Sequence, residues 1–386
     1  MASRGSVMLV GLCLFYLSGC GGQGSYNESK ADLQAQQHSG RHKLLAYLLG
    51  LYNPLVIPRT PVNVTYSMVL TGVDGVDEKE GILRISTIQR IKWFDHRFQW
   101  DPSEYHGIQW VNLPAKKLWG PDLRPHAQIL EEEEVNLRIH SGGTIYHYPP
   151  MRLAVPCEMH FAYYPFDSHS CSLKVESWSY DGNMINLTLP DYPAAELATH
   201  EQPNNQWKVQ SFTADRHVVK YVCCEETWVS LTFNIMLQRQ VREYTVRVLA
   251  PSVVTSLLIL LCFLIPPHCG ERILFVSILL LCILLQLFHL NLTVPIRGPD
   301  APYLADFLCF SVFLAFFSVV ESVLSLNLSR GVSESRKSDC REDTEEFGIQ
   351  AKTSTGMTRI ARFIDVGCFM VFSFIFAVAG GVILNP

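Results

Sequence analysis

The sequence predicts an all-β extracellular sandwich of about ten strands with an N-terminal helix, followed by a four-helix transmembrane bundle. Three observations carry that expectation. A short apolar leader opens the chain, residues 25–245 are polar with stretches of period-2 alternation, and from Val248 onward long apolar runs are separated by short charged stretches. Bulk composition agrees. Of 386 residues, 48% are hydrophobic and 17% charged, below the roughly 25% charge of soluble domains. The net charge of −5 argues against a nucleic-acid partner, which would ask for a basic surface. A single soluble globule and a disordered chain are both excluded.

Residues 1–24 read as a secretory signal. Arg4 precedes the apolar run Val7–Leu17, and Ser18-Gly-Cys-Gly-Gly22 follows; the run is too short to span a bilayer. Cysteine usage fits export. Cys13 and Cys20 leave with the signal, and four cysteines, Cys157, Cys171, Cys223 and Cys224, lie in the polar half. An even number in an exported domain reads as two disulfides. Cys262, Cys269, Cys282, Cys309, Cys340 and Cys368 sit in or beside the apolar half and are expected to be free thiols. Sequons at Asn27, Asn63 and Asn186 are glycosylation candidates in the same compartment.

The extracellular domain is placed at residues 25–243. His42–Tyr52 is amphipathic and precedes Pro54, which predicts a helix. From Val62 to Arg239 short β-rich runs alternate with turns. Ile82–Trp93 alternates apolar and polar, the pattern of a half-buried strand; Glu225–Gln238 is rich in Thr, Val and Phe. Gly72, Asp74-Gly75, Ser141-Gly142-Gly143 and Asp181-Gly182 punctuate hairpins.

Four runs follow: Val248–Ile265, Ile273–Ile296, Phe307–Leu328 and Val366–Pro386. Each is long enough to cross ~30 Å of hydrocarbon, and only a helix satisfies its own backbone there. Helices one to three are assigned to 244–328, a short cytoplasmic loop to 329–360 and the fourth helix to 361–386. The seven Lys/Arg within 330–362 put that loop inside and both termini outside a plasma membrane crossed several times. Glu321 interrupts the third run. Two readings stand: it faces neighbouring helices or water, or it reaches the cytoplasmic interface.

Thirteen residues separate Cys157 from Cys171, with Tyr164-Pro165-Phe166-Asp167 between them. This segment resembles the defining loop of the Cys-loop pentameric ligand-gated ion channels. Trp93 with Trp100, Trp119-Gly-Pro-Asp122, Trp178-Ser-Tyr-Asp-Gly182 and the adjacent pair Cys223-Cys224 extend the resemblance, most closely to nicotinic acetylcholine receptor subunits of the alpha type. The resemblance implies an immunoglobulin-like sandwich, assembly as a homopentamer or with related subunits, and a small organic cation bound between neighbouring extracellular domains. It also implies a Cys157–Cys171 disulfide. For Cys223-Cys224 it implies a vicinal disulfide stiffening a capping hairpin; taken alone, the pair could equally be two separate thiols.

On the principal face of the implied pocket stand His126, Trp178, Tyr221, Cys223, Cys224 and Trp228. A desolvated cation on an indole face is worth ~2 kcal/mol. Departures from the nicotinic pattern are as informative. His126 replaces a tyrosine, opening protonation as a modulator beside the plain reading of a hydrogen-bonded histidine. The complementary face carries Ile88 where an indole is usual, with Arg90 on the same strand face, and Arg138, Tyr146 and Tyr148. An arginine there repels a quaternary amine unless it points away. His126, His140 and His147 show no ligand spacing, so no metal site or cofactor is expected.

Glu78, Phe166, Arg239 and Pro302 match positions that couple the two domains in this family. The second run matches its pore helix. Glu271 would form a carboxylate ring that favours monovalent cations, and Leu274, Ile278, Leu281, Leu285 and Phe288 fall on one helical face above it. Small polar residues are usual where Leu274 and Ile278 stand, so this stripe should dewet readily. Glu131–Glu134 is either a cation-concentrating vestibule or a solvated loop. The chain has no phosphate loop, nucleophile elbow or His-Glu-x-x-His motif and is not read as an enzyme. The implied function is a cation-selective, agonist-gated channel subunit in contact with membrane lipids; the alternative is an accessory subunit that conducts poorly without a partner.

Overall fold

The computed structural model describes residues 38–202, 204, 206–222, 225–266, 271–294, 301–338, 363–378 and 381. The leader, Asn27, Cys223-Cys224 and residues 339–360 of the loop assigned to 329–360 lie outside the described residues. Thirteen strands are described: β1 (Val62–Asp77), β2 (Ile82–Gln99), β3 (Trp110–Pro114), β4 (Leu123–Pro125), β5 (Gln128–Glu132), β6 (Asn136–His140), β7 (Gly142–His147), β8 (Pro150–Glu158), β9 (Ser168–Ser177), β10 (Ile185–Thr188), β11 (Ala195–Gln202), β12 (Trp207–Lys220) and β13 (Thr227–Arg239). The sequence pattern predicts about ten. The excess comes from β4, β5 and β10, which at three to five residues are too short to show a period and exist because a neighbour pairs with them.

The chain divides into two compact units. The first comprises Met1–Val62, Lys92–Gly120 and Asn136–His147. In it the end of β2 continues into the strand order β2-β7-β6-β3. The amino-terminal helix covers residues 38–50, starting before and ending before the expected His42–Tyr52. It ends early because Tyr52 has another use: its ring packs on Phe98 at 4.8 Å and its hydroxyl accepts the Trp119 N–H at 2.7 Å. Leu44 and Leu48 are buried, as are Trp93 and Trp119, whose rings meet edge to face. The β6–β7 turn requires glycine: Gly143 has φ +88°, and a Cβ there would lie 2.9 Å from the Asp95 carbonyl.

The second unit comprises Asn63–Ile91, Pro121–Val135 and Tyr148–Pro386. Its strands run β12-β13-β9-β8-β2, with β4 on β9, β5 on β8, and β1 pairing β2, β10 and β11. Along β13, where the sequence alternates less cleanly than in β2, one face is nonetheless fully buried: Leu231, Phe233, Ile235 and Leu237. Each such side chain contributes roughly 1.5–3 kcal/mol. Cys157 and Cys171 face each other across β8 and β9 and are bonded, Cα–Cα 4.7 Å.

Among the described residues three helices are long and apolar enough to cross a membrane: Val241–Leu264, Glu271–Thr293 and Tyr303–Asn327. The described part of the fourth run is a shorter apolar helix, Phe363–Val378. The third span continues to Ser338. Along its inner face Ser311, Ser318 and Ser322 are buried and return their hydroxyls to carbonyls one turn back at 2.7–2.9 Å, so small polar residues pack without stranding a donor.

Candidate functional site

The described principal-face residues, His126, Trp178, Tyr221 and Trp228, lie toward one end of β9 and β13. β4 pairs with β9 so that Leu123 opposes Ser177 and Pro125 opposes Val175. This register carries His126 alongside Lys174 and Glu176: its backbone N–H donates to the Lys174 carbonyl at 2.7 Å, and its ring Nε2 lies 2.5 Å from Glu176 Oε1. The imidazole is therefore held by a carboxylate rather than by backbone. Glu176 also takes the Lys174 ammonium at 2.7 Å. Burial pushes the Lys174 amine down, but Glu176 and Tyr221 outweigh it and hold the group above its usual value.

Trp178, two residues beyond Glu176, is 69% exposed, and Tyr221 is 43% exposed; Trp228 is half-buried at the start of β13. Asp122 fixes the Trp178 segment by accepting from Ser177 Oγ at 2.6 Å and from the Ser179 N–H at 2.7 Å. Gly182 then docks it on β13: its N–H donates to the Thr227 carbonyl at 2.7 Å, and a Cβ would stand 2.8 Å from that oxygen. Two aromatic faces are thus open to solvent beside a carboxylate.

At the other end of the same strands lies the Arg239 network. Arg239 Nε and Nη2 bind Asp167 at 2.7 and 2.9 Å, and Nη1 binds Glu78 at 2.6 Å. The guanidinium is enclosed by the Trp207, Tyr164 and Tyr244 rings at 4.3, 4.8 and 4.9 Å and its side chain is fully buried. His169 Nε2 lies 2.6 Å from Asp167, while its Nδ1 accepts the His160 N–H at 3.3 Å; the neutral tautomer satisfies both contacts. Burial pushes the Asp167 carboxyl up, but hydrogen bonds from His169 and Arg239 outweigh it and hold it below the usual carboxylate range. Glu78 and Arg239 meet as expected. Phe166 is 40% exposed. Pro302 is buried and its carbonyl accepts the Ala305 N–H at 2.8 Å, opening the third span. The Cys157–Cys171 loop reaches this span directly. The Tyr303 N–H donates to the Ala162 carbonyl at 3.0 Å, and Phe161 and Tyr164 share one apolar cluster with Leu279, Ile283 and Leu304.

Comparison with known proteins places this architecture. Residues 41–241, more than half of the chain, match the neurotransmitter-gated ion-channel ligand binding domain, and residues 248–352 match the neurotransmitter-gated ion-channel transmembrane region. The chain belongs to the neurotransmitter-gated ion-channel family. This is a family of channels and not of enzymes. Neuronal acetylcholine receptor subunit alpha-6 of Rattus norvegicus is 29% identical over 322 residues, 82% of this chain and 64% of that protein. The human alpha-6 subunit is 29% identical over 74% of this chain and 58% of its own length. Subunit alpha-3 of Carassius auratus is 28% identical over 75% and 58%. The chain thus spans less than two thirds of the length of these relatives.

Within the neurotransmitter-gated fold the complementary-face residues fall in both units. Ile88 and Arg90 lie half-buried on one face of β2. Arg90 binds Glu196 on β11 at 2.6 Å, so its charge has a partner. Tyr148 is exposed. In the first unit Arg138 and Tyr146 oppose each other on β6 and β7, and the Arg138 guanidinium stacks on Trp110 at 4.3 Å. Trp110, Lys174, Glu176, His169 and Trp207 are missing from the expected site residues, and Asp122 is foreseen only as part of the Trp119–Asp122 motif. Only Glu176 carries a readable signal, lying two residues before Trp178 in the sequence.

On the second span Leu274, Ile278, Leu281, Leu285 and Phe288 are 52–63% exposed, while Val276, Leu279, Ile283 and Leu290 are buried. The expected stripe is therefore the helix face unpacked within the chain, headed by exposed Glu271. Arg272 turns the other way. It is buried between Glu321, with which it makes a close ion pair, and Asp365 at 2.9 Å. Of the two readings for Glu321, the structure selects the one facing neighbouring helices. Glu131–Glu134 is exposed, with Glu131 on β5 and 3.6 Å from Arg152.

Proposed function

We propose that this chain is a subunit of a cation-selective, agonist-gated pentameric channel of the plasma membrane, with both termini outside and residues 329–360 in the cytoplasm. The observation that carries the reading is the second span, whose unpacked stripe Leu274–Phe288 begins at an exposed Glu271 while Arg272 is withdrawn between two carboxylates. Five copies around an axis would present five carboxylates and no opposing arginine, which favours cations. The agonist is a small organic cation. Exposed Trp178 and Tyr221 supply the π faces, Glu176 supplies negative charge, and the Arg90–Glu196 pair removes the repulsion an arginine would otherwise exert. Agonist binding changes the open–closed balance only by its differential affinity for the two states; the Arg239 network is the rigid link through which β9 and β13 would transmit it. Relatives carry the name acetylcholine receptor, and choline esters head the agonist scan.

The test is whole-cell current from the wild type and from Leu281→Thr expressed alone, with biogenic amines, choline esters, amino acids and acid as stimuli. A reversible cation current in either supports a homomeric channel. Silence in both, with surface expression confirmed, overturns it in favour of a second reading supported by the apolar Leu274 and Ile278: an accessory subunit whose own pore dewets. In that case Leu274→Thr/Ile278→Thr restores conduction.

A further inference from the structure

Two of the three sequons in the extracellular domain, Asn63-Val-Thr65 and Asn186-Leu-Thr188, are brought together by the fold. β1 and β10 pair, and the two motifs lie side by side. Asn186 Nδ2 donates to Asn63 Oδ1 at 2.9 Å, and the Thr65 and Thr188 hydroxyl oxygens are 3.4 Å apart. They are not equivalent. Arg216 Nη2 donates to Asn186 Oδ1 at 3.0 Å and its Nε donates to the Leu187 carbonyl at 2.7 Å. Thr188 Oγ1 donates to the Val64 carbonyl at 3.3 Å.

Arginine has donors and no acceptor, so the Asn186 atom facing it must be oxygen. Asn186 Nδ2 then faces Asn63, and the Asn63 atom that receives it must in turn be Oδ1. That chain of requirements leaves Asn63 Nδ2, the nitrogen that a glycan modifies, on the far side of its amide, on a residue exposed to solvent. In Asn186 the same nitrogen is engaged, and the residue is half-buried.

We propose that Asn63 carries the N-linked glycan of this strand pair, and that Asn186 stays unmodified, its amide bridging Arg216 and Asn63. In the transfer, Asn63 Nδ2 forms a bond to the anomeric carbon of a lipid-pyrophosphate-linked oligosaccharide. The carbon–oxygen bond to the pyrophosphate breaks, the lipid pyrophosphate leaves with the electron pair, and the amide nitrogen gives up one proton. A glycan on Asn186 would crowd a half-buried nitrogen that already donates one of its two hydrogens to Asn63, whereas the Asn63 nitrogen is turned away from that contact on an exposed residue. The inference rests on export of the extracellular domain, which surface biotinylation of intact cells reports separately.

The full chain is expressed in mammalian cells and treated with peptide N-glycosidase in heavy-oxygen water, so that each formerly glycosylated Asn becomes a labelled Asp in the peptide map. The expected result is label at Asn63 and none at Asn186. On gels Asn63→Gln migrates one glycan step faster than wild type, while Asn186→Gln and Thr188→Ala do not. Thr188→Ala keeps the Asn186 amide in place, so a folding defect in Asn186→Gln does not blur the reading. Label at Asn186 in the wild type, or no label at Asn63 in chains that are biotinylated at the surface, overturns the proposal. Chains that are never biotinylated count against export instead, and with it against the proposal.

Discussion

Arg239 binds two carboxylates inside a cage of three rings, and its substitution should be severe for an electrostatic reason. Arg239→Gln leaves Asp167 buried beside Glu78 with no cation between them. Breaking a buried pair in this way costs about 3–5 kcal/mol, read as a lowered denaturation midpoint of the detergent-solubilised protein. Asp167 makes the same network sensitive to acid. Its carboxyl is held below the usual range when folded, so it contributes stability that is fully present above the unfolded value of ~3.9 and is lost as pH falls through the lower folded value. Thermal melts below about pH 4 should therefore drop steeply in wild type, and Asp167→Asn, already destabilised, should show a flatter acid limb.

At the scale of elements, the Trp178 segment is positioned by how close it comes to β13. Gly182→Ala would place a Cβ 2.8 Å from the Thr227 carbonyl, and that oxygen belongs to the strand and cannot yield freely. Overpacking of this kind costs about 1–3 kcal/mol. Melting temperature should fall, and agonist potency should fall with it because the segment that carries Trp178 is pushed off β13. The β8–β9 disulfide closes a loop with a sequence separation of 14. Replacing both cysteines by Ser should cost roughly 3 kcal/mol, measured as the shift in urea midpoint against the wild type. The periodicity of β2 and β13 is legible in the sequence because each buries one face. β4, β5 and β10 are not, since three to five residues fit any period and only pairing with β9, β8 and β1 makes them strands.

For the whole molecule, the Arg272–Glu321–Asp365 cluster ties the second span to the third and to the helix Phe363–Val378. Glu321→Gln weakens the close partner of a buried guanidinium, so the three helices should separate more readily. Cys368, packed beside Cys262, Phe263 and Val276, reports this: its labelling by a maleimide in membranes should be several-fold faster in Glu321→Gln than in wild type. An unchanged rate would mean that apolar packing alone holds the fourth helix.

Read alone, the sequence predicted a β-rich domain followed by membrane-crossing helices, and its resemblance to a known family pointed to the Cys157–Cys171 loop, to Glu78 with Arg239, and to the face of the second span headed by Glu271. The first of these follows from periodicity and length, properties that survive without knowledge of neighbours; the others follow only from matching positions to the family, Glu78 and Arg239 being 161 residues apart. Tertiary structure alone decided that Arg90 is paired with Glu196, that His126 rests on Glu176, that Glu321 faces Arg272, and that Asn63 and Asn186 share one hydrogen bond. Their partners lie 49 to 123 residues away. A side chain's charge, exposure and reactivity depend on what is brought beside it, and that is set by strand pairing and helix packing rather than by any local run of residues.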